Sequence, residues 1–113
     1  MAYSNVDAFF IVFSVANRNS FKNVLDTWDP EVSMRLPQTP KILIGTKTDL
    51  RLHQSHAVTA LEGIKLAKKI CASAYFELSS KNNIGIDAPF EYATKLCIYR
   101  IKKSKDNFPC LIQ

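Results

Sequence analysis

The sequence has few cysteines and no long apolar run, and each shortage excludes a class of protein. Three cysteines among 113 residues are too few for a disulfide scaffold, and an odd count is typical of a reducing compartment. No apolar run approaches the roughly 20 residues that a membrane-spanning helix needs. The opening segment Met1–Asn5 has no basic residue, so we expect no signal peptide. With 47% hydrophobic residues, the chain is expected to form one globular domain.

The excess of basic charge is concentrated near one end of the chain. Residues 95–105 contain five basic residues and no acidic one, whereas the rest of the chain has ten of each sign. A basic protein can bind nucleic acid, but this excess is local and is not spread over a domain. We therefore expect an anionic partner for this segment and no nucleic-acid binding.

Short apolar runs alternate with helical patterns along the chain. The predicted strands are Ala8–Val15, Lys41–Gly45 and Ala74–Leu78, and helical patterns follow them from about residues 20, 59 and 87. The first run does not alternate with polar residues, which is typical of a strand buried on both faces. This order predicts an α/β fold in which helices cover a parallel sheet, in three layers with right-handed crossovers.

Local signals predict where the helices begin and pause. Asn19 or Ser20 is expected to cap the first helix, and Pro30 is expected to kink or interrupt it. Thr59 and Glu62 have the spacing of a capping box at the start of the second helix.

Two polar loops follow the second and third predicted strands, where parallel sheets bind ligands. The carboxylate of Asp49 can accept hydrogen bonds from the N1–H and 2-amino groups of guanine, an edge that adenine lacks. The stem of Lys47 can cover one face of a flat ring, and a backbone N–H of Ser79–Lys81 can donate to a ring carbonyl. Taken alone, T-K-x-D is a weak match, and an ordinary polar loop is the alternative.

Together these loops resemble the guanine-recognition motifs N/T-K-x-D and S-A-K of small GTPases. The wider sequence resembles the Rho/Rac branch of the Ras superfamily over nearly its whole length. The segments that carry the resemblance are Tyr3–Ala8, Phe13–Val15, Ser20–Val24, Trp28–Val32, Ile44–Arg51 and Tyr75–Lys81. The resemblance implies the C-terminal half of a P-loop GTPase fold over residues 1–99, with GTP or GDP as the ligand.

The resemblance also implies a role for each residue of the first loop. Asp49 binds the N1 and 2-amino groups of guanine, Lys47 stacks on the ring, and Thr46 helps to tie the loops together.

In the second loop, Ser79 supports Asp49 and Lys81 completes the turn. Ser80 replaces the alanine that is usual in the family, and its backbone N–H is expected to contact the guanine oxygen.

Several parts of the family pattern have no match in these 113 residues. Glycine occurs only at positions 45, 63 and 85, so no window fits the phosphate loop G-x-x-x-x-G-K-[ST]. The switch threonine that binds Mg²⁺ and the D-x-x-G motif also have no counterpart, and the Rho-type insert is short. We therefore expect an N-terminally truncated domain with no Mg²⁺ site, no catalytic residue, and weak or absent binding of guanine nucleotide. We also expect Ala8–Val15 to lie at a sheet edge that pairs with other copies.

The C-terminal segment 100–113 is expected to be a membrane-attachment tail. Cys110–Gln113 fits the C-a-a-X pattern, in which glutamine favours farnesylation of Cys110. One lipid binds membranes only marginally, and a second signal is available in basic residues. These are Arg100, Lys102, Lys103 and Lys105. The alternatives are a chance cysteine and a solvated helix end.

The sequence is compatible with two functions. The first is a Rho-type GTPase at the cytoplasmic face of a membrane, with a cytosolic pool and Rho-type regulators and effectors. The second is a non-catalytic, prenylated fragment that binds a membrane or a partner. Among weaker features, His53 and His56 lack further metal ligands nearby in the sequence, so we expect no metal site. Trp28 is expected to serve in helix packing, and Cys71 and Cys97 are expected to be small, buried apolar residues.

Overall fold

A computed structural model describes residues 8–79 and 81–96 of the chain. The strands are β1 (Phe9–Ser14), β2 (Lys41–Thr46) and β3 (Ala74–Glu77). The helices are α1 (Arg18–Asn23), α2 (Asp29–Arg35), α3 (Ala60–Lys69) and α4 (residues 88–96). A π-helical turn (Val24–Trp28) joins α1 to α2, and a 3₁₀ helix (Thr48–His53) follows β2.

The predicted tail and one predicted site residue lie outside the described residues. The tail residues concerned are Cys110, Arg100, Lys102, Lys103 and Lys105, and the site residue is Ser80. The predicted boundary between residues 1–99 and 100–113 therefore stays a prediction. In the part of the chain that the structure describes, no helix is long and apolar enough to cross a membrane.

The three strands form a parallel sheet in the order β1-β2-β3. One face of the sheet packs against α1 and α3 around a core that includes Phe13, Leu43 and Leu66. The other face contacts α4, where Phe10 meets Phe90 at a centroid distance of 5.2 Å. This arrangement confirms the predicted α/β fold with helices on both sides of a parallel sheet.

The prediction that β1 is buried on both faces is wrong. Ile11 and Phe13 are buried at 4% and 1% exposure, whereas Phe10 and Val12 are exposed at 39% and 50%. The reason is position, because β1 pairs with β2 alone among the described strands and so forms an edge there. Full burial belongs instead to the central strand β2, whose residues 42–45 are all buried.

The first helix begins earlier than predicted and ends at Asn23, and the interruption predicted near Pro30 takes the form of a π-helical turn before α2. Asn17, and not Asn19 or Ser20, is the cap, since its side chain accepts a hydrogen bond from the Ser20 N–H at 3.2 Å. Proline has no N–H and clashes with the carbonyl four residues earlier. The chain avoids this clash with the wider π-helical turn before Pro30, closed by the Asp29 N–H bonding the Val24 carbonyl.

The predicted capping box of α3 is confirmed in both of its hydrogen bonds. The Thr59 hydroxyl accepts from the Glu62 N–H at 3.2 Å, and the Glu62 carboxylate accepts from the Thr59 N–H at 2.9 Å. The prediction that Cys71 is buried is wrong, and Cys97 lies outside the described residues. Trp28 is 51% exposed on the π-helical turn, where Val24 is the buried residue. Cys71 is exposed in the turn after α3, where its backbone conformation is left-handed.

Candidate functional site

The carboxyl ends of β2 and β3 bring the two predicted loops together. Because the strands are parallel neighbours, their following segments leave the sheet at the same edge. The Thr48 N–H and hydroxyl each lie 3.4 Å from the Leu78 carbonyl, which joins the loops at their bases. Thr46 points elsewhere, since its hydroxyl donates to the Phe13 carbonyl at 3.1 Å and so joins β2 to β1.

The centre of the site is a short hydrogen bond between the loops. The Ser79 hydroxyl donates to Oδ1 of Asp49 at 2.6 Å, and Ser79 is fully buried. The same hydroxyl oxygen accepts from the Asn82 N–H at 3.2 Å, so its proton is directed toward Asp49. Asn82 was not assigned a role from the sequence, and no local motif indicates this bond.

Hydrogen bonding keeps the Asp49 carboxyl ionised. The hydrogen bond from Ser79 lowers the pKa of Asp49, and the nearby charge of Lys81 lowers it further, while partial burial opposes both effects. A charged carboxylate accepts hydrogen bonds about twice as strongly as a neutral group. Asp49 is therefore a fixed, partly exposed anionic acceptor at the sheet edge.

Lys47 begins the 3₁₀ helix from an unusual backbone conformation. Its φ of 58° lies in the left-handed region, which non-glycine residues adopt rarely. Its carbonyl accepts from the Leu50 N–H at 3.0 Å, which closes the first turn of the helix carrying Asp49. The side chain of Lys47 is exposed beside the site, as is that of Lys81. Stacking of Lys47 on a base stays a prediction.

An ion pair that the sequence analysis did not identify lies beneath the site. The guanidinium group of Arg51 donates two hydrogen bonds to the Glu77 carboxylate, at 3.0 and 2.8 Å. Nε of Arg51 donates to the Val58 carbonyl at 2.9 Å, and the Tyr75 hydroxyl donates to Glu77 at 2.7 Å. Arg51 lowers the pKa of Glu77, so the pair stays charged. The available signal was the opposite charge of two residues near the ends of adjacent strands.

The site presents groups of the kind that contact a planar ligand. Asp49 offers an acceptor, and Lys47 and Lys81 offer exposed cationic side chains. In residues 8–79 and 81–96, no three histidine, cysteine or acidic residues are grouped so that they could hold a metal ion. A fixed carboxylate such as that of Asp49 is the kind of acceptor that the N1–H and 2-amino groups of guanine require.

Comparisons with known proteins agree with the resemblance seen in the sequence. A sequence profile of the Ras family matches residues 1–99. The chain is 46% identical over 96 residues to the Rho-related protein racN of Dictyostelium discoideum. The matched region covers 80% of this chain and 44% of that protein. The chain is 35% identical over 106 residues to the Rho-related GTP-binding protein RhoH of Bos taurus, covering 91% and 56%. The chain thus spans about half the length of the curated relatives it matches.

Proposed function

The chain belongs to the Ras family, in its Rho-related branch, and we propose that Asp49 and Ser79 form the guanine-binding part of a nucleotide site. The observation that carries this proposal is the 2.6 Å hydrogen bond between them. It holds one oxygen of the carboxylate and keeps the group ionised. The carboxylate can then accept from the N1–H and 2-amino groups of a guanine placed at the sheet edge.

The nucleotide in this proposal is GTP or GDP. Support comes from one relative, the Rho-related GTP-binding protein RhoH of Bos taurus. In the family such nucleotides are held by phosphate and Mg²⁺ contacts as well as by the base. Because no window of the 113 residues fits G-x-x-x-x-G-K-[ST], we expect this polypeptide by itself to contact mainly the base and to bind weakly. Hydrolysis of GTP is not part of the proposal for these 113 residues.

Selectivity among nucleosides tests the proposal directly. Saturation-transfer NMR, which detects weak ligands, compares guanosine, inosine and adenosine on the 113-residue protein. Inosine lacks only the 2-amino group, so a preference for guanosine over inosine reports the bond to Asp49. Asp49→Ala is expected to abolish a preference of roughly 10- to 100-fold, since a hydrogen bond to a charged group contributes about 1.5–3 kcal/mol.

The matched control is Asp26→Ala, which removes an exposed carboxylate on the π-helical turn. It is expected to leave the nucleoside preference unchanged. An identical guanosine preference in wild-type protein and Asp49→Ala would show that this edge is not the base site. Equal binding of all three nucleosides by the wild-type protein would refute guanine recognition itself.

We propose in addition that residues 100–113 attach the protein to an anionic membrane surface, at the cytoplasmic face, through a prenyl group on Cys110. The support is the C-a-a-X pattern and the basic residues that precede it. The alternative of a prenylated fragment without nucleotide binding shares this tail. It is favoured if guanosine fails to bind while membrane attachment is observed.

A further inference from the structure

Two side-chain contacts join the 3₁₀ helix to the segment at the end of β3, and the two segments run in opposite directions. Asp49 bonds Ser79, and two residues further along the helix Arg51 bonds Glu77, two residues before Ser79. We propose that Arg51 and Glu77 are positioning residues that fix the distance between Asp49 and Ser79, and thereby the guanine selectivity of the site. The consequence for guanine rests on the proposed function, whereas the positioning itself does not.

The geometry of the ion pair suits such a role. A guanidinium group that meets a carboxylate through two parallel hydrogen bonds fixes orientation as well as distance. The side chains of Arg51 and Glu77 are only 28% and 25% exposed, so water competes little for these bonds. Further bonds to the Val58 carbonyl and from the Tyr75 hydroxyl hold each partner in one orientation.

Other contacts between the two loops lie at their bases, where the Leu78 N–H donates to the Gly45 carbonyl at 2.9 Å. The bonds from Thr48 to the Leu78 carbonyl are 3.4 Å long, near the limit for a hydrogen bond. Asp49 itself lies on a single 3₁₀ segment that starts from a left-handed residue, Lys47. Without the Arg51–Glu77 pair, the 3₁₀ helix beyond Thr48 would depend mainly on the short bond from Ser79 for its position against the end of β3. We therefore expect that bond to lengthen or break when the pair is removed.

The pKa of Asp49 reports this bond and separates positioning from direct charge effects. It is measured by ¹³C NMR of the side-chain carboxyl in the 113-residue protein. In Arg51→Ala, both effects raise the pKa of Asp49. In Glu77→Ala, loss of a nearby negative charge lowers that pKa, whereas loss of positioning raises it toward its ordinary value. A rise in both variants, toward the value found in Ser79→Ala, is the expected result.

Two further variants keep the test decisive. Glu31→Ala removes the ion pair of Glu31 with Arg35 on α2, so it is the control and should leave the pKa of Asp49 unchanged. Arg51→Lys retains the charge but not the two parallel hydrogen bonds. It replaces the alanine variants in the test if their amide NMR spectra show that they do not fold. A folded Arg51→Lys or Glu77→Ala protein with an unchanged or lowered pKa of Asp49 would overturn the proposal.

Guanosine binding gives the second measurement. The preference for guanosine over inosine should fall in Glu77→Ala in the direction of the Asp49→Ala result, although Glu77 does not face the ligand. If wild-type protein binds no guanosine, the proposed function fails while the pKa result still decides whether the pair positions Asp49. If guanosine preference is intact in Glu77→Ala despite a raised pKa of Asp49, the link to selectivity is refuted.

Discussion

The ring of Tyr75 on β3 lies directly over the Cα of Gly63 on α3. A Cβ placed on Gly63 would collide with the hydroxyl and the outer ring atoms of Tyr75, and a Cβ on Gly45 would lie 2.8 Å from the same hydroxyl. Tyr75 therefore occupies space that two glycines leave open, and from there its hydroxyl reaches Glu77. This packing connects the helix α3 to the ion pair beneath the site.

Gly63→Ala is expected to destabilise the protein by about 1–3 kcal/mol, because the methyl group displaces a packed ring. Helix propensity alone predicts the opposite sign, since alanine is favoured over glycine by about 1 kcal/mol. Urea denaturation followed by circular dichroism measures the change. Lys65→Ala, at an exposed position of the same helix, is the control and should change stability by less than about 0.5 kcal/mol. A more stable Gly63→Ala protein would show that Tyr75 moves aside freely.

The ion pair of Arg18 and Glu62 predicts a loss of stability in acid. Hydrogen bonds from Arg18 and from the Thr59 backbone lower the pKa of Glu62 from 4.5 to about 2. As pH falls, the unfolded chain binds this proton first, so the contribution is present above about 4.5 and is lost toward pH 2. The decline should be small, because the side chains are 48% and 36% exposed and water screens the pair.

The measurement is the urea midpoint between pH 6 and pH 2. Glu62→Gln should be less stable than wild type at pH 6, and this difference should shrink as the pH approaches 2. Glu91→Gln, at an exposed position of α4, should follow the wild-type curve. A constant difference across the range would contradict the assigned pKa of Glu62.

The exposed face and edge of β1 predict self-association. Phe10 and Val12 are 39% and 50% exposed on a strand that pairs with β2 alone among the described strands. Apolar edges pair with other copies, and lysine at an edge discourages this pairing. Val12→Lys is expected to have a larger monomer fraction than the wild-type protein in size-exclusion chromatography at protein concentrations spanning about a tenfold range.

Met34→Lys is the matched control for this experiment. It replaces an apolar side chain that is 83% exposed on α2, away from the strand edge. Equal effects of the two substitutions would indicate general solubility and not edge pairing. A wild-type protein that remains monomeric at every concentration would refute the prediction.

Membrane attachment is expected to need both features of the predicted tail. Cys110→Ser should move the expressed protein from the membrane to the cytosolic fraction, whereas Cys71→Ser, which removes an exposed thiol elsewhere, should not. Replacing Lys102, Lys103 and Lys105 by glutamine should weaken binding to anionic vesicles by about 1 kcal/mol for each residue. Intact-mass measurement identifies the lipid. Unchanged fractionation of Cys110→Ser would rule out a prenyl anchor at this residue.

Much of the framework could be predicted from local sequence. The capping box at Thr59 and Glu62 was predicted to the residue, because both of its hydrogen bonds are made within one helical turn. The parallel sheet, with the Asp49 and Ser79 loops at the carboxyl ends of its strands, follows from the alternation of strands and helices. The motif T-K-x-D pointed to Asp49 through a resemblance to a family. The structure adds the 2.6 Å distance from the Ser79 hydroxyl to Oδ1 of Asp49.

Features that depend on neighbours distant in sequence required the tertiary structure. The apolar run of β1 reads the same whether one face or both are covered, and its position at the edge of the described sheet decides which. The Arg51–Glu77 pair links residues 26 positions apart, and only the register of β2 against β3 brings them together. The sequence determined which groups are available and, at Thr59, where a helix begins. The packing of the strands decided which groups meet, because hydrogen bonds and ion pairs depend on distances that chain separation does not define.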